Sequence, residues 1–303
     1  MVNSAKAWIQ AFRLRTLPLA LSCIGMGGFL AAAANAFRLD IFLLCVCTTI
    51  LLQVLSNLAN DYGDSIHGAD NAERKGPSRA VQRGAISARQ MKSAVILLVI
   101  LCLISGTTLL LVSFGLNWNV VLFFLGLGII SILAAIAYTV GKKPYGYRGF
   151  GDIAVLIFFG LVGVLGSYYL FMKEVSWAEV LPAFSCGVFA MAVLNINNIR
   201  DIIPDRKAGK YSIPVRIGRE NAVLYHWSLL TAGHLSAVAY TVIHYVSPVQ
   251  LIFLLTAPIF ISNGKAVSKK PPELLDPYLK QMALSTLLFV LLFGLGLILA
   301  RPV

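Results

Sequence analysis

Two short segments of the chain combine acidic and amide side chains at helical spacing. In the first, a helix running through residues 57–64 would gather four of these side chains within about a third of its circumference, since each residue advances a helix by about 100°. They are Asn57, Asn60, Asp61 and Asp64. The pattern predicts a dense, oxygen-rich face at one end of a helix.

The second segment spaces three such side chains four residues apart, and they are Asn197, Asp201 and Asp205. Four residues advance a helix by only about 40° beyond a full turn, so these side chains stack along one edge. Like charges in this arrangement repel and normally destabilise a helix slightly. A bound cation would turn that repulsion into a binding site.

Hard oxygen ligands of this kind suit Mg²⁺, which keeps several waters and takes one or two carboxylates together with phosphate oxygens of a substrate. If the two clusters face each other, they can hold two Mg²⁺ ions with a diphosphate between them. The alternative is that each acid only solvates the end of a helix. Two clusters that both interleave asparagine with aspartate favour the metal site.

The elements that must position these clusters are membrane-spanning helices. Of the 303 residues, 58% are apolar and 13% are charged, and the mean hydropathy is +0.80. Soluble domains carry about 25% charged residues, so a water-soluble enzyme is excluded. Most of the charge-poor stretches approach the roughly 20 residues that cross a bilayer. Nine are predicted, at residues 17–34, 41–59, 93–114, 120–140, 153–172, 180–194, 223–245, 249–261 and 283–300.

The basic residues fix the predicted topology. In a soluble chain, the net charge of +12 would suggest a nucleic-acid partner, but here it follows the positive-inside rule. All Lys and Arg except Arg38, Lys173 and Arg301 fall in alternate connections. This places the amino terminus in the cytoplasm, the carboxyl terminus outside, and both acidic clusters at cytoplasmic ends of spans. A cleaved secretory signal at the start is the alternative, and the consistent alternation counts against it.

The stretches that follow the two clusters resemble each other. Residues 78–84 and 212–218 match at Ser, Val and Gly with identical spacing. An internal duplication would place the two acidic ends symmetrically about a shared cavity. We therefore expect a single domain over residues 1–303, with spans 1–4 duplicated as spans 5–8 and followed by a ninth.

Basic residues after the clusters extend the interpretation to a phosphate ligand. Arg matches phosphate oxygens with paired hydrogen bonds, and Lys acts as a point charge. The candidates for diphosphate binding are Arg74, Lys75, Arg79, Lys142, Lys210 and Arg216. Cytoplasmic loops are also basic for topological reasons alone, so Arg79 and Lys210, which lie in the repeated regions, are favoured.

With these motifs in place, the chain resembles the UbiA-type intramembrane prenyltransferases. That family carries two aspartate-rich motifs after its second and sixth helices, here NDYGD at 60–64 and NNIRDIIPD at 197–205. Further segments are similar to the branch that acts on 1,4-dihydroxy-2-naphthoate. They are RLRTLP at 13–18, NDYGDSIHGAD at 60–70 and GKKPYGYRGFGD at 141–152.

The resemblance implies an all-α bundle of nine transmembrane helices around a cytoplasm-facing cavity, in a bacterial inner membrane. It also implies Mg²⁺-dependent transfer of a polyprenyl group from its diphosphate to 1,4-dihydroxy-2-naphthoate, with loss of CO₂. The implied metal residues are Asn60, Asp61, Asp64, Asp70, Asn197, Asp201 and Asp205, of which Asp64, Asp201 and Asp205 are the catalytic acids. Asp70 is included because the family's third acid falls at Gly68 here.

The implied reaction leaves an allylic cation when the diphosphate departs. This cation and the acceptor both need binding partners. An Arg near the bilayer would hold the acceptor carboxylate, and Arg13, Arg15 and Arg148 are the candidates. Aromatic faces such as those of Tyr138, Phe158 and Tyr168 would stabilise the cation. No protein or nucleic-acid partner is expected.

Two other functions stay open at this point. Within the enzyme class, 4-hydroxybenzoate is the alternative acceptor. In another class, a cation-coupled transporter also uses intramembrane acids and repeats, but its sites lie near the midplane, whereas these acids lie at span ends. A purely structural membrane protein has no need for paired Asn and Asp arrays.

Overall fold

The structure is a computed structural model that describes residues 4–66 and 79–301, and within these ranges every regular element is helical. The α-helices are α1 (Ser4–Phe12), α2 (Leu17–Ala33), α3 (Leu39–Ile66), α4 (Ala88–Phe114), α5 (Trp118–Ala137), α6 (Gly151–Val155), α7 (Ser167–Met172), α8 (Val180–Arg200), α9 (Ile202–Lys207), α10 (Ile213–Ile243), α11 (Ala257–Lys269) and α12 (Asp276–Leu299). A π-helical segment, Leu156–Gly166, joins α6 to α7, and 3₁₀ turns lie at Leu14–Thr16, Tyr145–Arg148, Pro248–Thr256 and Pro272–Leu274. The prediction of an all-helical chain is confirmed for the described residues.

Eight helical segments of the described chain are long and apolar enough to cross a membrane. They are Ala5–Ala33, Leu39–Ile66, Ala88–Phe114, Trp118–Ala137, Gly151–Met172, Val180–Arg200, Pro248–Lys269 and Asp276–Leu299. Each coincides with a predicted span, including the short stretch at 249–261, which belongs to a 22-residue segment here. The remaining predicted span, 223–245, lies within α10, which is not one of the eight. The count of nine spans and the sidedness of the termini stay predictions.

The amino-terminal segment is held against α3 by a tight turn. Helix α1 buries Ala7 and Ala11 and ends before Arg13, whose φ of 49° is left-handed. The side chain of Asn57 donates a 2.9 Å hydrogen bond to the carbonyl of Phe12 across this turn. Pro18 in the first turn of α2 suits the new helix start, because its amide would have no intrahelical partner there. The turn therefore places Arg13 and Arg15 beside the end of α3.

Helix α8 lies at the centre of the larger of the two main apolar cores, packed against α10, α12, α2 and the π-helical segment. The second core joins α1, α3, the connection before α4, α4 itself and Ile132 of α5. A third, small cluster contains Leu19, Ala190 and Ala283. Gly160 and Gly187 allow the π-helical segment to touch α8 closely, since a Cβ on Gly160 would lie 2.8 Å from the carbonyl of Ala183. The gap between the two cores is the cavity described below.

The predicted duplication has one structural correlate. Gly84 and Gly218, the glycines matched between the two repeated stretches, have left-handed φ values of 66° and 77°. Other residues rarely adopt this conformation, so both positions use glycine for the same backbone reason. The duplication and the single-domain organisation stay predictions.

Candidate active site

A cavity of about 490 Å³ lies between the two cores. One end is polar, and its charged and amide lining residues are Arg13, Arg15, Gln53, Asn57, Asn60, Asp64, Arg79, Asn197, Lys210 and Lys280. The rest of the wall is apolar and is formed by α2, α3, α4, α5, the π-helical segment and α8, with Leu109, Phe124 and Phe159 among its residues. The cavity can therefore take a molecule that has one charged end and a long apolar body.

A smaller void of about 20 Å³, close to the volume of one water molecule, lies at the polar end. Asp64 lines it from the first acidic cluster, and Asn197, Asp201 and Asp205 line it from the second. Arg79, Lys210 and Pro204 complete the wall. The structure thus brings the two clusters together around one point, together with the two basic residues that the sequence favoured.

Asp64 is held by two partners from distant parts of the chain. The hydroxyl of Tyr147 donates a 2.7 Å hydrogen bond to Asp64 Oδ1, and Arg79 forms an ion pair with Asp64 Oδ2. Burial raises the pKa of Tyr147, and the neighbouring Asp64 raises it further, so the hydroxyl stays protonated and donates. Arg79 also donates a 2.8 Å hydrogen bond to the carbonyl of Asn60. These contacts fix the carboxylate at the edge of the cavity.

A glycine lets the end of α3 approach its neighbour. A Cβ added to Gly63 would lie 2.5 Å from Thr139 Oγ1 and 2.6 Å from the Thr139 backbone. The Thr139 hydroxyl lies 3.2 Å from both the Ala59 carbonyl and the Asn60 side-chain oxygen. The close contact of α3 with Thr139, and with it the position of Asn60 and Asp64, therefore depends on glycine at position 63.

Asp61 lies in different surroundings from Asp64. Its carboxylate is buried in an ion pair with Arg13, with Arg79 Nε 3.5 Å away, and it lines neither the cavity nor the void. Helical spacing puts Asp61 on the same broad face as Asp64, but the loop carrying Arg13 covers it. In this structure the Asp61 carboxylate contacts arginines and not the void, and its predicted metal role stays a prediction.

In the second cluster, Lys210 faces Asp205. Lys210 Nζ lies 3.0 Å from Asp205 Oδ2, and the Lys210 amide donates a 2.8 Å hydrogen bond to the Asp205 carbonyl. Burial raises the pKa of Asp205 above its ordinary value despite the opposing effect of Lys210. Burial alone would lower the pKa of Lys210, but the attraction and hydrogen bond of Asp205, together with the neighbouring Tyr138 and Asp64, raise it above its ordinary value. Lys210 thus keeps a positive charge at the polar end.

Asp201 is bound by its neighbour Arg200, which sequence reasoning missed. Arg200 Nε and Nη2 donate to the two oxygens of Asp201 at 3.0 and 2.6 Å, and Nη2 also donates to Asn197 Oδ1 at 2.9 Å. Arg200 Nη1 donates to Asp276 Oδ1 at 2.7 Å, while Arg15 donates to Asp276 Oδ2 at 2.8 Å. The sequence signalled Arg200 only by its place inside the second motif. Its pairing with Asp276 was not predictable, because Asp276 is 76 residues away.

The donors around the void fit Mg²⁺ in chemical type. In residues 4–66 and 79–301, no group of three His, Cys, Asp or Glu side chains forms a metal site by itself. Mg²⁺ does not require one, because it takes one or two carboxylates and fills its remaining positions with water and substrate oxygens. The void is lined by the carboxylates of Asp64, Asp201 and Asp205 and by the amide of Asn197, which are oxygen donors of the type that Mg²⁺ prefers. The residues therefore fit the ion when a phosphate-bearing ligand is also present.

Three of the predicted basic residues lie away from the cavity. Lys142, Arg148 and Arg216 are exposed and line neither the cavity nor the void. Arg216 instead donates to the carbonyls of Tyr211 and Arg148, at 3.0 and 2.8 Å, and so ties two connections together. Lys142 and Arg148 lie in the connection before α6, and Arg216 lies in the first turn of α10, so none of the three reaches the cavity.

The residues predicted to contact the acceptor or the allylic cation also fall into those that line the cavity and those that do not. Arg13, Arg15, Tyr138 and Phe158 line the cavity. Tyr168 is buried in the larger core and does not line it. Asp70, Arg74 and Lys75 lie outside the described residues, so their predicted roles stay predictions.

Comparison with known proteins agrees with this geometry. The model of the UbiA prenyltransferase family matches residues 20–273. The chain is 46% identical over 303 residues to a Haemophilus influenzae protein named 1,4-dihydroxy-2-naphthoate octaprenyltransferase, with 98% of each chain covered. It is 42% identical to the Escherichia coli protein of that name, with 99% of this chain and 97% of that protein covered.

A solved structure shows the same fold. It is a UbiA homolog from Archaeoglobus fulgidus bound to GPP and Mg²⁺, which superposes with a TM-score of 0.66 at 18% sequence identity. The superposition covers 96% of this chain and 99% of that chain. The arrangement of helices around the cavity is therefore shared over nearly the full length.

Proposed function

The chain belongs to the UbiA prenyltransferase family, and we propose that it transfers a polyprenyl group from a polyprenyl diphosphate to 1,4-dihydroxy-2-naphthoate. Diphosphate and CO₂ are lost, and the product is the demethylmenaquinol of menaquinone biosynthesis. The proposal is supported by full-length relatives that carry this activity in their names.

One structural observation carries the proposal, namely the single cavity that joins an acidic and basic end to an apolar body. Residues of both clusters, with Arg79 and Lys210, line the void at the polar end. The apolar wall continues from there between the helices. A polyprenyl diphosphate has the same division into a charged head and an apolar tail.

At the polar end, this chain supplies charges of both signs. Arg79 and Lys210 would bind oxygens of the diphosphate, since both already lie beside the acids that line the void. Asn60, Asp64, Asn197, Asp201 and Asp205 would hold Mg²⁺, and we propose one ion for each cluster. When bound, Mg²⁺ supplies the positive charge that neutralises the departing diphosphate.

The apolar wall protects the reactive carbon. When the carbon–oxygen bond to the diphosphate breaks, the allylic carbon becomes cationic, and water would capture it. The faces of Tyr138 and Phe158 line the cavity and would stabilise that charge. The surrounding aliphatic side chains exclude water from it.

The acceptor would enter beside the loop that carries Arg13 and Arg15. Both arginines line the cavity, and a guanidinium group matches a carboxylate with two parallel hydrogen bonds. The ring carbon that bears the carboxylate attacks the allylic cation, and a carbon–carbon bond forms. Loss of CO₂ then returns its bonding electrons to the ring and restores aromaticity.

The protein is an integral, multi-pass membrane protein, as its apolar helices and its family indicate. We further propose that it lies in a bacterial inner membrane with the polar end of the cavity on the cytoplasmic side. The distribution of Lys and Arg supports this orientation.

The test is an assay in detergent or membranes with radiolabelled polyprenyl diphosphate. 1,4-Dihydroxy-2-naphthoate and 4-hydroxybenzoate are offered separately, each with Mg²⁺ and with EDTA. We expect product from the naphthoate alone, and no product with EDTA. Product from 4-hydroxybenzoate alone would assign the other acceptor, and product from neither would contradict transferase activity and favour cation transport.

A further inference from the structure

Arg200 has a side chain that is 1% exposed, and it lines neither the cavity nor the void. It is the last residue of α8, so its backbone is fixed by the central helix of the larger core. A buried guanidinium group destabilises a protein strongly unless acceptors satisfy it. Here Nε, Nη1 and Nη2 all donate to side-chain oxygens. Such complete pairing indicates that the group holds its acceptors in place.

The acceptors belong to two separate parts of the candidate active site. On one side, Arg200 binds Asn197 and Asp201, which line the void. On the other side, it binds Asp276 in the first turn of α12, and Asp276 binds Arg15, which lines the cavity. The charges alternate along Asp201, Arg200, Asp276 and Arg15, so the series is neutral as a whole.

We propose that Arg200 and Asp276 are positioning residues. They hold the metal end of the site, which is the void lined by Asp201 and Asn197, at a fixed position relative to the acceptor end, which is the cavity wall at Arg15. The inference rests on the proposed function for the identity of the acceptor. Asp276 is the link, because its two oxygens bind Arg200 and Arg15 separately. Losing the charge of Asp276 would loosen Asp201 and Asn197 through Arg200, and would release Arg15 directly.

The chemistry of these side chains makes conservative substitutions informative. Asp276→Asn keeps the shape but replaces one charged acceptor oxygen with an amide nitrogen, which cannot accept from either arginine. Arg200→Lys keeps the charge, but a single ammonium group cannot make the forked contact with Asp201 and also reach Asp276. Neither Asp276 nor Arg200 lines the void itself.

The chain offers a matched control. Asp40 also lies in the first turn of a long helix and pairs with an arginine, Arg38, at 2.5 Å. Both side chains of that pair are 51% exposed, and neither lines the cavity. Asp40→Asn therefore makes the same chemical change outside the proposed series.

The experiment measures binding as well as turnover. Binding of Mn²⁺ in the presence of inorganic diphosphate is followed by electron paramagnetic resonance on the purified full chain in detergent. In parallel, kcat and the KM values for Mg²⁺ and for 1,4-dihydroxy-2-naphthoate are determined. Asp276→Asn, Arg200→Lys and Asp40→Asn are compared with the unmodified chain.

We expect Mn²⁺ to bind about tenfold more weakly to Asp276→Asn and Arg200→Lys, as is typical when an outer partner of a metal ligand is lost. The KM for the naphthoate should rise in Asp276→Asn, and Asp40→Asn should match the unmodified chain. Unchanged Mn²⁺ affinity and unchanged naphthoate KM in Asp276→Asn would overturn the inference. If Asp276→Asn does not accumulate in the membrane, the Mn²⁺ affinity and the naphthoate KM of Arg200→Lys test the inference instead, and unchanged values in that variant would overturn it.

The two proposals fail in different ways. If the unmodified chain transfers no prenyl group to any acceptor, the proposed function is wrong, and the Mn²⁺ arm still decides whether Arg200 and Asp276 position the metal end. If transfer occurs and the variants bind Mn²⁺ like the unmodified chain, only the positioning inference is wrong.

Discussion

The hydroxyl of Tyr147 donates a 2.7 Å hydrogen bond to Oδ1 of Asp64, across 83 positions of the sequence. This contact ties the loop before α6 to the end of α3, and it leaves Arg79 to bind the other carboxylate oxygen. The orientation of one acid at the void thus depends on two segments that the acidic motif itself does not contain.

Removing that hydroxyl should weaken catalysis without unfolding the protein. In Tyr147→Phe, Asp64 loses the hydrogen bond from the Tyr147 hydroxyl, and we expect turnover to fall about tenfold, with a higher KM for Mg²⁺. Prenyl transfer is measured as a function of Mg²⁺ concentration. Tyr211→Phe is the control, since Tyr211 is exposed. Equal kinetics for both variants would show that the hydrogen bond does not orient Asp64.

Acids from both clusters should be needed for turnover. Asp64 and Asp201 line the void from opposite clusters, so Asp64→Ala and Asp201→Ala should each lower activity by more than about 100-fold, beyond what the loss of an outer partner costs. Membrane insertion should be unchanged, and it is checked by quantifying the protein in washed membranes. Near-normal activity in either variant would contradict the two-cluster metal site.

Adding one methyl group at Gly63 should disturb the site through packing. In Gly63→Ala, the new Cβ would lie 2.5 Å from Thr139 Oγ1, so α3 or the Thr139 turn must move. We expect a loss of about 1–3 kcal/mol in unfolding free energy, together with reduced transfer activity. Gly126→Ala in α5 is the matched control, because its Cβ would have no neighbour within 4 Å. The prediction is wrong if the two variants are equally stable and active.

The pairing of Lys210 with Asp205 predicts a pH effect on stability. Burial already raises the pKa of Asp205, and Lys210→Met removes the positive charge that opposes this rise. An acid whose folded-state pKa lies above its unfolded value is neutral in both states at low pH. It destabilises the fold increasingly as the pH rises from the unfolded-state pKa to the folded-state pKa, and the loss is complete above the folded-state pKa. The variant should therefore lose stability, relative to the unmodified chain, as the pH rises from about 4.

This is checked by thermal unfolding in detergent with EDTA across the acidic and neutral range. Lys265→Met, at an exposed lysine of α11, is the control. If Lys210→Met and Lys265→Met give parallel profiles against pH, Lys210 does not counterbalance the Asp205 carboxylate.

Much of the fold could be predicted because apolar length and charge placement are local properties. Each of the eight apolar helical segments coincides with a stretch that hydropathy selects. The span at 223–245 differs because polar side chains such as His226 and His234 lie inside it, so its mean hydropathy is lower than that of the eight segments. The π-helical winding of Leu156–Gly166 was not predictable, since it leaves the apolar pattern of the stretch unchanged.

The candidate site could be predicted in part. Helical spacing indicated that Asp64, Asp201 and Asp205 could face a common ligand, and these acids line the void. Spacing alone could not distinguish Asp61 from Asp64, because the distinction depends on where the loop carrying Arg13 lies. Spacing also could not show that Arg148 is exposed, because its exposure depends on the path of the connection between α5 and α6.

The π-helical segment has a consequence for how this chain can change in evolution. Removing one residue at the start of Leu156–Gly166 would rotate everything beyond the deletion by about a quarter of a turn relative to what precedes it. Gly160 would then turn away from Gly187, and the aromatic pair Phe158 and Phe159 would leave the cavity wall. Exchange of one apolar residue for another at exposed Ile157 should be neutral. This stretch should therefore vary in composition among relatives while keeping its length.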